Sequence, residues 1–592
     1  MKTQENLKWI LFTWIIIFIA APSFSQTIIK GKVVDSRTEE PIPYVSVYFP
    51  ESNTGSVSNT EGCFRFTNSS SKPGHLVIKA IGYETQVFDP EKGIPSVILL
   101  EKAKTFSDPL AIKEFEPDAD PLCIFYKAVR DAKKNKVKRT SRSFLSIETM
   151  SGKGVPFEVL EAYYQTDYTI KHGLSDMAIK NGRFGIMDQD GKFFPSLQAT
   201  RALTNYELFL HARKSYFASS PFSMTKAQGK ERFIFNLNSI IQDAEELIAE
   251  IQFMPRENQE DLFSGVTYIS LDDLQLRQIK MHVSGSERIP LTPVSSKTTH
   301  EDLGLDMVLN YKENRKGEII YDYILFNYTY DYSRPEQAQT MKSEALLVFY
   351  DHEQPFILPL CKADNINNDH EKIMATPFNH YFWDRNSVFE TTAAKRDHTD
   401  YLLDNGIVVN YDSDCMQSLT LDNPIKSWNP GSPLTWDDFL IKNISDLEID
   451  TPLITWSDKS LKPESDVNLD FHIFLDCNMD GDSLYFCCRS VFNRKTSYYL
   501  KEKDSLALEY INLQFDMVES VRRKMAESLC KKSFKLENAE DINLIYKDYM
   551  GRLNKMMQAV AQDVNQGKDT KKLAEWKSRV SAELNKATAS TL

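Results

Sequence analysis

Residues 504–529 read DSLALEYINLQFDMVESVRRKMAESL, and this stretch decides how the C-terminal part of the chain folds. Its apolar residues recur at three- and four-residue spacing along two adjacent stripes: Leu506, Tyr510, Leu513, Met517 and Val521 on one, and Leu508, Ile511, Phe515 and Val518 on the other. Such spacing is typical of a helix, and two neighbouring stripes bury more than half of its circumference. The pattern predicts a long helix at the centre of a C-terminal domain.

The segment upstream of this helix reads LTWDDF at residues 434–439. Together the two segments resemble a family of secreted zinc-dependent proteases of bacteria, in which an LTWxDF opening precedes a helix reading approximately HEQxHFD. The two His of that HExxH lie one helical turn apart and bind zinc, and the Glu acts as the general base. Aligned on Phe515 and Asp516, the His positions hold Tyr510 and Gln514, and the Glu position holds Ile511.

A second motif of the same family, TNHG followed by a Trp-containing helix, corresponds to VNQG at residues 564–567 and to Trp576. The His of the motif becomes Gln566, and the preceding Glu of the family becomes Asp563. Amide oxygens and a phenol are poor zinc ligands beside imidazole and thiolate, and an isoleucine cannot act as a base. The resemblance therefore implies a degenerate zincin-like α+β domain over residues 431–592, with no catalytic residue, metal or cofactor. Its cleft is expected to be a repacked pocket lined by apolar and amide groups, with a sheet edge that a peptide or partner segment can extend.

The 592 residues are too many for one hydrophobic core, so several domains are expected. The net charge of −13 argues against general binding to nucleic acid or to anionic lipid, which require clustered Lys and Arg. At the N-terminus, Lys2 and Lys8 precede an apolar run over residues 9–21, and small residues follow this run before Gln26. This pattern is typical of a signal peptide over residues 1–25, with an uncleaved anchor as the alternative. We expect an exported protein that is periplasmic, associated peripherally with the outer membrane, or extracellular.

Residues 26–102 alternate short strand-like runs with turn residues, as in a small β-sandwich of the immunoglobulin-like or transthyretin-like kind. Four segments carry a resemblance: GKVVD at 31–35, PIPYVSVY at 41–48, TGSVSNTEGCFRF at 54–66 and LVIKAIGYETQ at 76–86. They resemble the carboxypeptidase-regulatory-like domain found at the N-terminus of Bacteroidetes envelope proteins. In its family this domain is an accessory sandwich, so the resemblance implies no peptidase activity.

The middle of the chain reads as a β-rich domain over residues 121–400, between charged or irregular linkers at 103–120 and 401–430. Residues 122–136 have helical spacing, and residues 140–350 alternate strands with turns, ending in the long run IIYDYILFNYTYDY at 319–332. A helix is predicted inside this region at 239–251. Asp120-Pro121 and the segment TPFNHYFW at 376–383 resemble the soluble region of a second Bacteroidetes envelope family.

The remaining candidates for chemistry are four histidines and one acidic loop. His352, His370, His380 and His398 lack the local spacing of a metal motif. The acidic segment 476–482 lacks the glutamate of a calcium loop and reads as a hairpin turn at Asp480-Gly481.

These patterns predict a multidomain, mainly β protein with a non-catalytic binding or scaffolding role in the cell envelope, where its partner is a protein or a peptide. Two alternatives stay open. One is a secreted metallopeptidase that takes its ligands from the four histidines, and the other is a carbohydrate-binding accessory of outer-membrane uptake.

Overall fold

The computed structural model describes residues 27–588 except 69–73, 109–111, 113–119, 188–198, 211–216, 245, 257–260, 287, 289–298, 335–336, 353, 361–368, 377, 387, 412–423, 444–464 and 481–482. The predicted signal peptide and most of the predicted linker at 103–120 lie outside these residues. The protein is multidomain and mainly β, with 43% strand and 29% helix, as predicted. Within the described residues, no helix combines the length and the apolarity that crossing a membrane requires.

The strands are β1 (Thr27–Asp35), β2 (Ser46–Phe49), β3 (Thr54–Val57), β4 (Cys63–Asn68), β5 (Leu76–Lys79), β6 (Gln86–Phe88), β7 (Val97–Leu100), β8 (Lys104–Phe106), β9 (Arg139–Ser151), β10 (Pro156–Thr169), β11 (Gly173–Met187), β12 (Phe233–Asp243), β13 (Glu246–Pro255), β14 (Ser264–Ser270), β15 (Leu276–Ser286), β16 (Thr299–Glu313), β17 (Ile319–Arg334), β18 (Gln337–Asp351), β19 (Gly406–Val409), β20 (Ile425–Ser427), β21 (Val467–Asn468), β22 (Phe471–Asp480), β23 (Ser483–Asn493) and β24 (Tyr498–Tyr499). The helices are α1 (Pro121–Lys134), α2 (Ala199–Thr204), α3 (Lys226–Arg232), α4 (Asp369–Ala375), α5 (His380–Arg385), α6 (Ala393–Asn405), α7 (Ser505–Lys531), α8 (Glu540–Asp563) and α9 (Thr570–Thr588).

The N-terminal sandwich consists of one sheet in the order β4-β1-β7 and a second set of strands in which β2 pairs with β3 and β5, and β5 pairs with β6. Alternate residues of these strands point between the two layers, as the period-two pattern predicts. They form one apolar core that includes Val33, Val47, Phe64, Ile78 and Ile98. This arrangement confirms the predicted β-sandwich.

The centre of the molecule is one long antiparallel sheet with the strand order β19-β11-β10-β9-β18-β17-β16-β15-β14-β13-β12-β8. Its inner face carries the largest apolar core, with residues such as Ile147, Leu160, Ile279 and Phe326, and this core also takes in apolar residues of α1, α2 and α4. Its outer face carries a second cluster, which includes Phe144, Tyr163, Tyr323 and Leu346 together with Val57 of the sandwich and Phe382 of α5. The sheet is therefore covered on both faces, with the sandwich on the outer one.

The helix predicted at 239–251 is wrong, because these residues form a hairpin of β12 and β13. Asp243 pairs with Glu246 at its turn, where Ala244 has a φ of 51°. The apolar residues at 240, 241, 247, 248 and 251 fit either a helix or two strands, and pairing with β14 and β8 decides for strands. Likewise, the predicted linkers contain strands: β8 pairs with β12, while β19 and β20 pair with β11 and β23.

The C-terminal part packs three helices on a small sheet with the order β20-β23-β22. Asp504 caps α7 by accepting a hydrogen bond from the backbone N–H of Ala507 at 2.6 Å, so the predicted long helix is confirmed. One side of α7 packs on the sheet, and the other side packs against α8 and α9. The predicted turn after residue 480 is also confirmed, since β22 and β23 form a hairpin in which Asp480 pairs with Ser483.

A buried ion pair joins this C-terminal part to the long sheet. Lys180 of β11 lies 2.5 Å from the Asp476 carboxylate of β22, and the Lys180 ammonium also donates to the backbone carbonyl of Cys477 at 2.6 Å. The Asp476 carboxylate accepts two further hydrogen bonds, from Asn379 and Asn478. The ammonium and the carboxylate of this pair therefore both have hydrogen-bond partners beyond each other, as a buried salt bridge requires.

Candidate functional site

The positions that the protease resemblance assigns to zinc chemistry lie on α7, where they face two different apolar cores. Ile511 is only 1% exposed and packs in the cluster between α7 and the small sheet. Tyr510 packs on the opposite side, against the cluster that α7 shares with α8 and α9. Gln514 is 9% exposed and lies one turn after Tyr510. The residue at the position of the general base is therefore part of a hydrophobic core.

The second motif lies next to the first. Gly567, with a φ of 93°, touches the Tyr510 ring so closely that an added Cβ would lie 3.0 Å from Tyr510 Cβ. Asp563 accepts hydrogen bonds from Trp576 Nε1 at 2.8 Å and from Lys572 Nζ at 2.6 Å, and Gln566 is exposed. The fold brings the two segments of the resemblance together, and the Asp563 carboxylate is engaged by a tryptophan and a lysine.

The four histidines of the metallopeptidase alternative lie apart, each with its own contacts. His370 pairs with Glu158 at 2.8 Å among the inner-face residues of the long sheet, whereas His398 pairs with Glu148 on the outer side. His352 contacts the Tyr168 hydroxyl at 3.1 Å, and His380 is exposed beside Phe378. Within the described residues, no three His, Cys, Asp or Glu side chains form a group suited to a metal.

A cavity of about 290 Å³ lies between the sandwich and the outer face of the long sheet. The sandwich contributes residues of β2, β5 and the segments beside them, among them Tyr44, Ser46, Tyr48 and Lys79. The sheet contributes residues of β15, β16 and β17, among them Arg277, Gln278, Lys280, Asn310, Lys312 and Tyr323. Neither part forms this site alone.

Two β-bulges turn successive side chains to the outer side of the sheet, where the cavity lies. In β15, Gln278 pairs with Tyr268 and Leu276 with Ile269, so Arg277 is an extra residue in the ladder. In β17, Tyr323 pairs with Asn310 and Tyr321 with Tyr311, so Asp322 is the extra residue. A bulge lets two successive residues face the same side of a sheet. Arg277 with Gln278, and Asp322 with Tyr323, accordingly all lie on the outer side, towards the sandwich.

The Asp322 carboxylate is the centre of a polar network that crosses from sheet to sandwich. It lies 2.8 Å from the Lys312 ammonium and accepts hydrogen bonds from Ser46 Oγ at 2.5 Å and Asn310 Nδ2 at 3.1 Å. Gln278 Nε2 donates to Asn310 Oδ1 at 2.9 Å and extends this network. Because all of these side chains are buried, the bonds hold them in fixed positions.

A second set of charges borders the cavity around Glu246. Its carboxylate lies 2.8 Å from Lys79 of the sandwich and 2.6 Å from Arg277, and Arg277 also lies 2.6 Å from Glu313. Burial alone would raise the pKa of Glu246, but Lys79 and Arg277 together hold it below its usual range. The carboxylate is therefore ionised at neutral pH, and its negative charge compensates the positive charges of Lys79 and Arg277.

Among the buried polar atoms without a hydrogen-bond partner in the described residues are Gln278 Oε1 and Arg277 Nη1, which belong to residues of the cavity lining but are enclosed by protein. Both side chains are more than nine-tenths buried, at 6% and 5% exposure. An unsatisfied buried acceptor or donor costs about 1–3 kcal/mol. Burial also raises the pKa of Tyr48 and Tyr323, so both phenols at the cavity stay protonated. The cavity is thus lined by neutral aromatic rings and by polar and charged side chains of both parts.

None of these residues was identified from the sequence. The one available signal is Asp322, which interrupts a strand of aromatic and aliphatic residues, but a bulge is defined by pairing with another strand. Conversely, the fold brings the two segments selected by the resemblance together, but Ile511 lies in a hydrophobic core, and Asp563 and Gln566 are exposed.

Comparison with known proteins identifies the first of the three parts. Residues 29–104 match the model of the CarboxypepD_reg-like domain family, which confirms the resemblance of the sandwich. The match covers less than half of the chain and describes this part only. No curated protein matches the chain.

The similarity of this chain to solved structures is low in sequence identity and in TM-score. A DUF1329 family protein from Desulfovibrio piger is 9% identical and has a TM-score of 0.17, with the match covering 40% of this chain and 95% of that chain. A LolA superfamily protein from Nitrosomonas europaea is 10% identical with a TM-score of 0.16, covering 42% of this chain and 100% of that one. The MucA/MucB complex of Pseudomonas aeruginosa gives 7% identity and a TM-score of 0.14, covering 38% and 93%. At these TM-scores the similarity carries no argument about this chain.

Proposed function

We propose that this chain is an exported cell-envelope protein that binds a ligand or partner without catalysing a reaction on it. The observation that carries the proposal is the cavity between the sandwich and the long sheet, because polar and charged side chains of both parts line it and are held in place by buried hydrogen bonds and ion pairs. The accessory sandwich and the predicted signal peptide are consistent with an envelope location. Under this proposal, the sandwich and the sheet form a binding site together.

The non-catalytic part of the proposal rests on the residues at the protease positions. A general base must reach its proton through a cleft, whereas the side chain at position 511 is an aliphatic group inside a core. The groups at 510, 514 and 566 are a phenol and two amides, which are weak ligands for zinc. We infer that the C-terminal part is a degenerate zincin-like domain that acts as a scaffold.

The test is the zinc content of the purified protein after exposure to zinc and dialysis, measured by mass spectrometry, together with hydrolysis of a casein substrate. We expect zinc well below one atom per chain and no hydrolysis above a zinc-free buffer control. One tightly held zinc with casein hydrolysis would overturn the proposal. The variants His352→Ala, His370→Ala, His380→Ala and His398→Ala would then identify the ligands.

A further inference from the structure

We propose that the solvent side of the sheet β4-β1-β7 in the sandwich docks this protein onto a membrane surface that carries anionic lipid. This layer of the sandwich contributes no residue to the cavity, so the inference goes beyond the proposed binding site and does not depend on it. Its basis is a cluster of cations without ion-pair partners among the described residues, set between half-exposed aliphatic side chains.

The strand register determines which side chains share this side of the sheet. Alternate residues of the three strands point into the core of the sandwich, and the residues between them point to solvent. Arg65 of β4 lies directly opposite Lys30 of β1, and Val97 of β7 lies beside Lys32. We call the resulting surface the basic face, and it consists of Ile28, Lys30, Lys32, Arg65, Val97 and Leu99.

The three cations of the basic face are not neutralised within the part of the chain that the structure describes, where none of them forms an ion pair with a carboxylate. Lys30 and Arg65 occupy opposite positions of neighbouring strands, and like charges in this arrangement destabilise a sheet. Arg65 Nε is also buried without a hydrogen-bond partner there. In a chain of net charge −13, a surface that collects repelling cations is suited to a negatively charged partner.

The aliphatic side chains of the basic face favour a lipid surface as this partner. Ile28, Val97 and Leu99 are each 50% exposed. Proteins that bind at a membrane surface combine cations, which attract anionic headgroups, with apolar side chains that enter the boundary between headgroups and acyl chains. A folded acidic protein would cover these aliphatic groups only where its own shape matched them, whereas a fluid lipid surface adapts to them.

The negative net charge of the whole chain does not prevent this contact. At physiological salt the Debye length is about 8 Å, so charges farther than this from the lipid are largely screened. Glu61 and Glu390 lie near the Cys63 end of β4, where burial and, after it, their charges raise the pKa of the Cys63 thiol. We therefore expect the other end of the basic face, with Lys30 and Arg65, to lie closest to the lipid.

The test is cosedimentation of the purified protein with two kinds of vesicle, one of phosphatidylcholine alone and one of equal parts phosphatidylcholine and phosphatidylglycerol. We expect binding to the anionic vesicles that weakens as the salt concentration is raised. The variant Lys30→Gln/Lys32→Gln/Arg65→Gln should lower the partition coefficient at least about tenfold, because each cation near an anionic surface contributes about fivefold.

The control Lys555→Gln/Lys568→Gln/Lys571→Gln removes the same total charge from exposed lysines of α8, of α9 and of the turn between them. It should bind the anionic vesicles as the wild type does. Thermal unfolding of each variant reports whether the fold is intact. Because the triple variant of the basic face relieves the repulsion between Lys30 and Arg65, it should unfold at a temperature no lower than that of the wild type.

A second variant keeps the test valid if the triple variant of the basic face does not fold. Val97→Ser/Leu99→Ser removes aliphatic groups that are half exposed and keeps the cations. We expect it to weaken binding to the anionic vesicles as well, because the apolar contribution to membrane binding is lost.

Three outcomes would overturn the proposal: equal binding to neutral and anionic vesicles, equal losses in the triple variant and its control, or no binding to either vesicle. If no vesicle binds, but poly-L-glutamate binds to the wild type and not to the triple variant, the basic face recognises an acidic protein and the lipid proposal falls. None of these results changes the zinc content or the casein hydrolysis that test the proposed function.

Discussion

Two regions of this molecule invite a search for a binding site, and they differ in what they bury. The surroundings of α7 resemble a protease motif in the order of their sequence segments, but position 511 is filled by an aliphatic side chain in a hydrophobic core. The cavity under the sandwich has no motif, yet polar and charged side chains of the sandwich and the long sheet meet around it. The difference shows that the order of sequence segments and the chemistry of the side chains that they hold are separate pieces of information.

Of the variants that test this comparison, Ile511→Glu is expected to have the largest effect on stability. It places at position 511 the residue type that acts as the general base in the protease family of the resemblance. If position 511 is a core position, the buried carboxyl has its pKa raised by about 3–5 units, at about 1.4 kcal/mol each, which destabilises the protein by about 4–7 kcal/mol. Urea unfolding at pH 7 measures this. The control Ile511→Val should cost about 0.5–1.5 kcal/mol. An unchanged stability of Ile511→Glu would show that the position faces a cleft and would restore the protease interpretation.

The next largest effect concerns the buried ion pair of Lys180 and Asp476, which joins the C-terminal part to the long sheet. Lys180→Met leaves Asp476 buried without its cation, and we expect a loss of about 3–5 kcal/mol in the free energy of unfolding. The double variant Lys180→Met/Asp476→Leu should recover much of that loss, since both charges are removed. Lys531→Met removes an exposed ion pair with Glu527 and should leave the free energy of unfolding nearly unchanged. Equal effects of Lys180→Met and Lys531→Met would contradict the buried pairing.

The smallest effect is pH-dependent and concerns Glu161 on the outer side of the long sheet. Burial alone would raise the pKa of its carboxyl, but Lys395 and Arg183, which lies 2.6 Å away, lower it to about 2. A lowered pKa in the folded state stabilises the protein above the unfolded value of about 4.3, and this contribution disappears as the pH falls from there towards 2. The stability difference between wild type and Glu161→Gln should therefore be constant between pH 6 and 8 and shrink below pH 4.3. Denaturant unfolding across this range measures it.

The matched variant Glu301→Gln, at an exposed position of the same sheet, is measured over the same pH range as the control for replacing a carboxyl by an amide. A difference between wild type and Glu161→Gln that stays constant down to pH 3 would contradict the pairing of Glu161 with Lys395 and Arg183.

Several parts of the fold could be predicted because their patterns are local. The two apolar stripes of residues 504–529 predict which sides of the helix are buried, and α7 packs residues of both stripes into hydrophobic cores. The strands of the sandwich and of residues 140–350 follow from period-two alternation. The hairpin at 233–255 was predicted in part as a helix, because a short apolar run fits both periods until a neighbouring strand pairs with it.

The candidate site at the cavity could not be predicted from the sequence. Ser46 and Asp322 are 276 residues apart, and their hydrogen bond depends on the sandwich lying on the outer face of the sheet. The bulges at Arg277 and Asp322 are shifts of register between two strands, so a single strand carries no sign of them.

The sequence by itself determined the elements of this protein: the sandwich, the long strands and the central C-terminal helix. Tertiary structure alone decided that Ile511 belongs to a core and that Gln278 and Arg277 meet Ser46 and Lys79 across a cavity. The physical reason is that periodicity reports how each element buries its own side chains. The meeting of side chains from distant elements depends on register and on domain packing, which no local pattern contains.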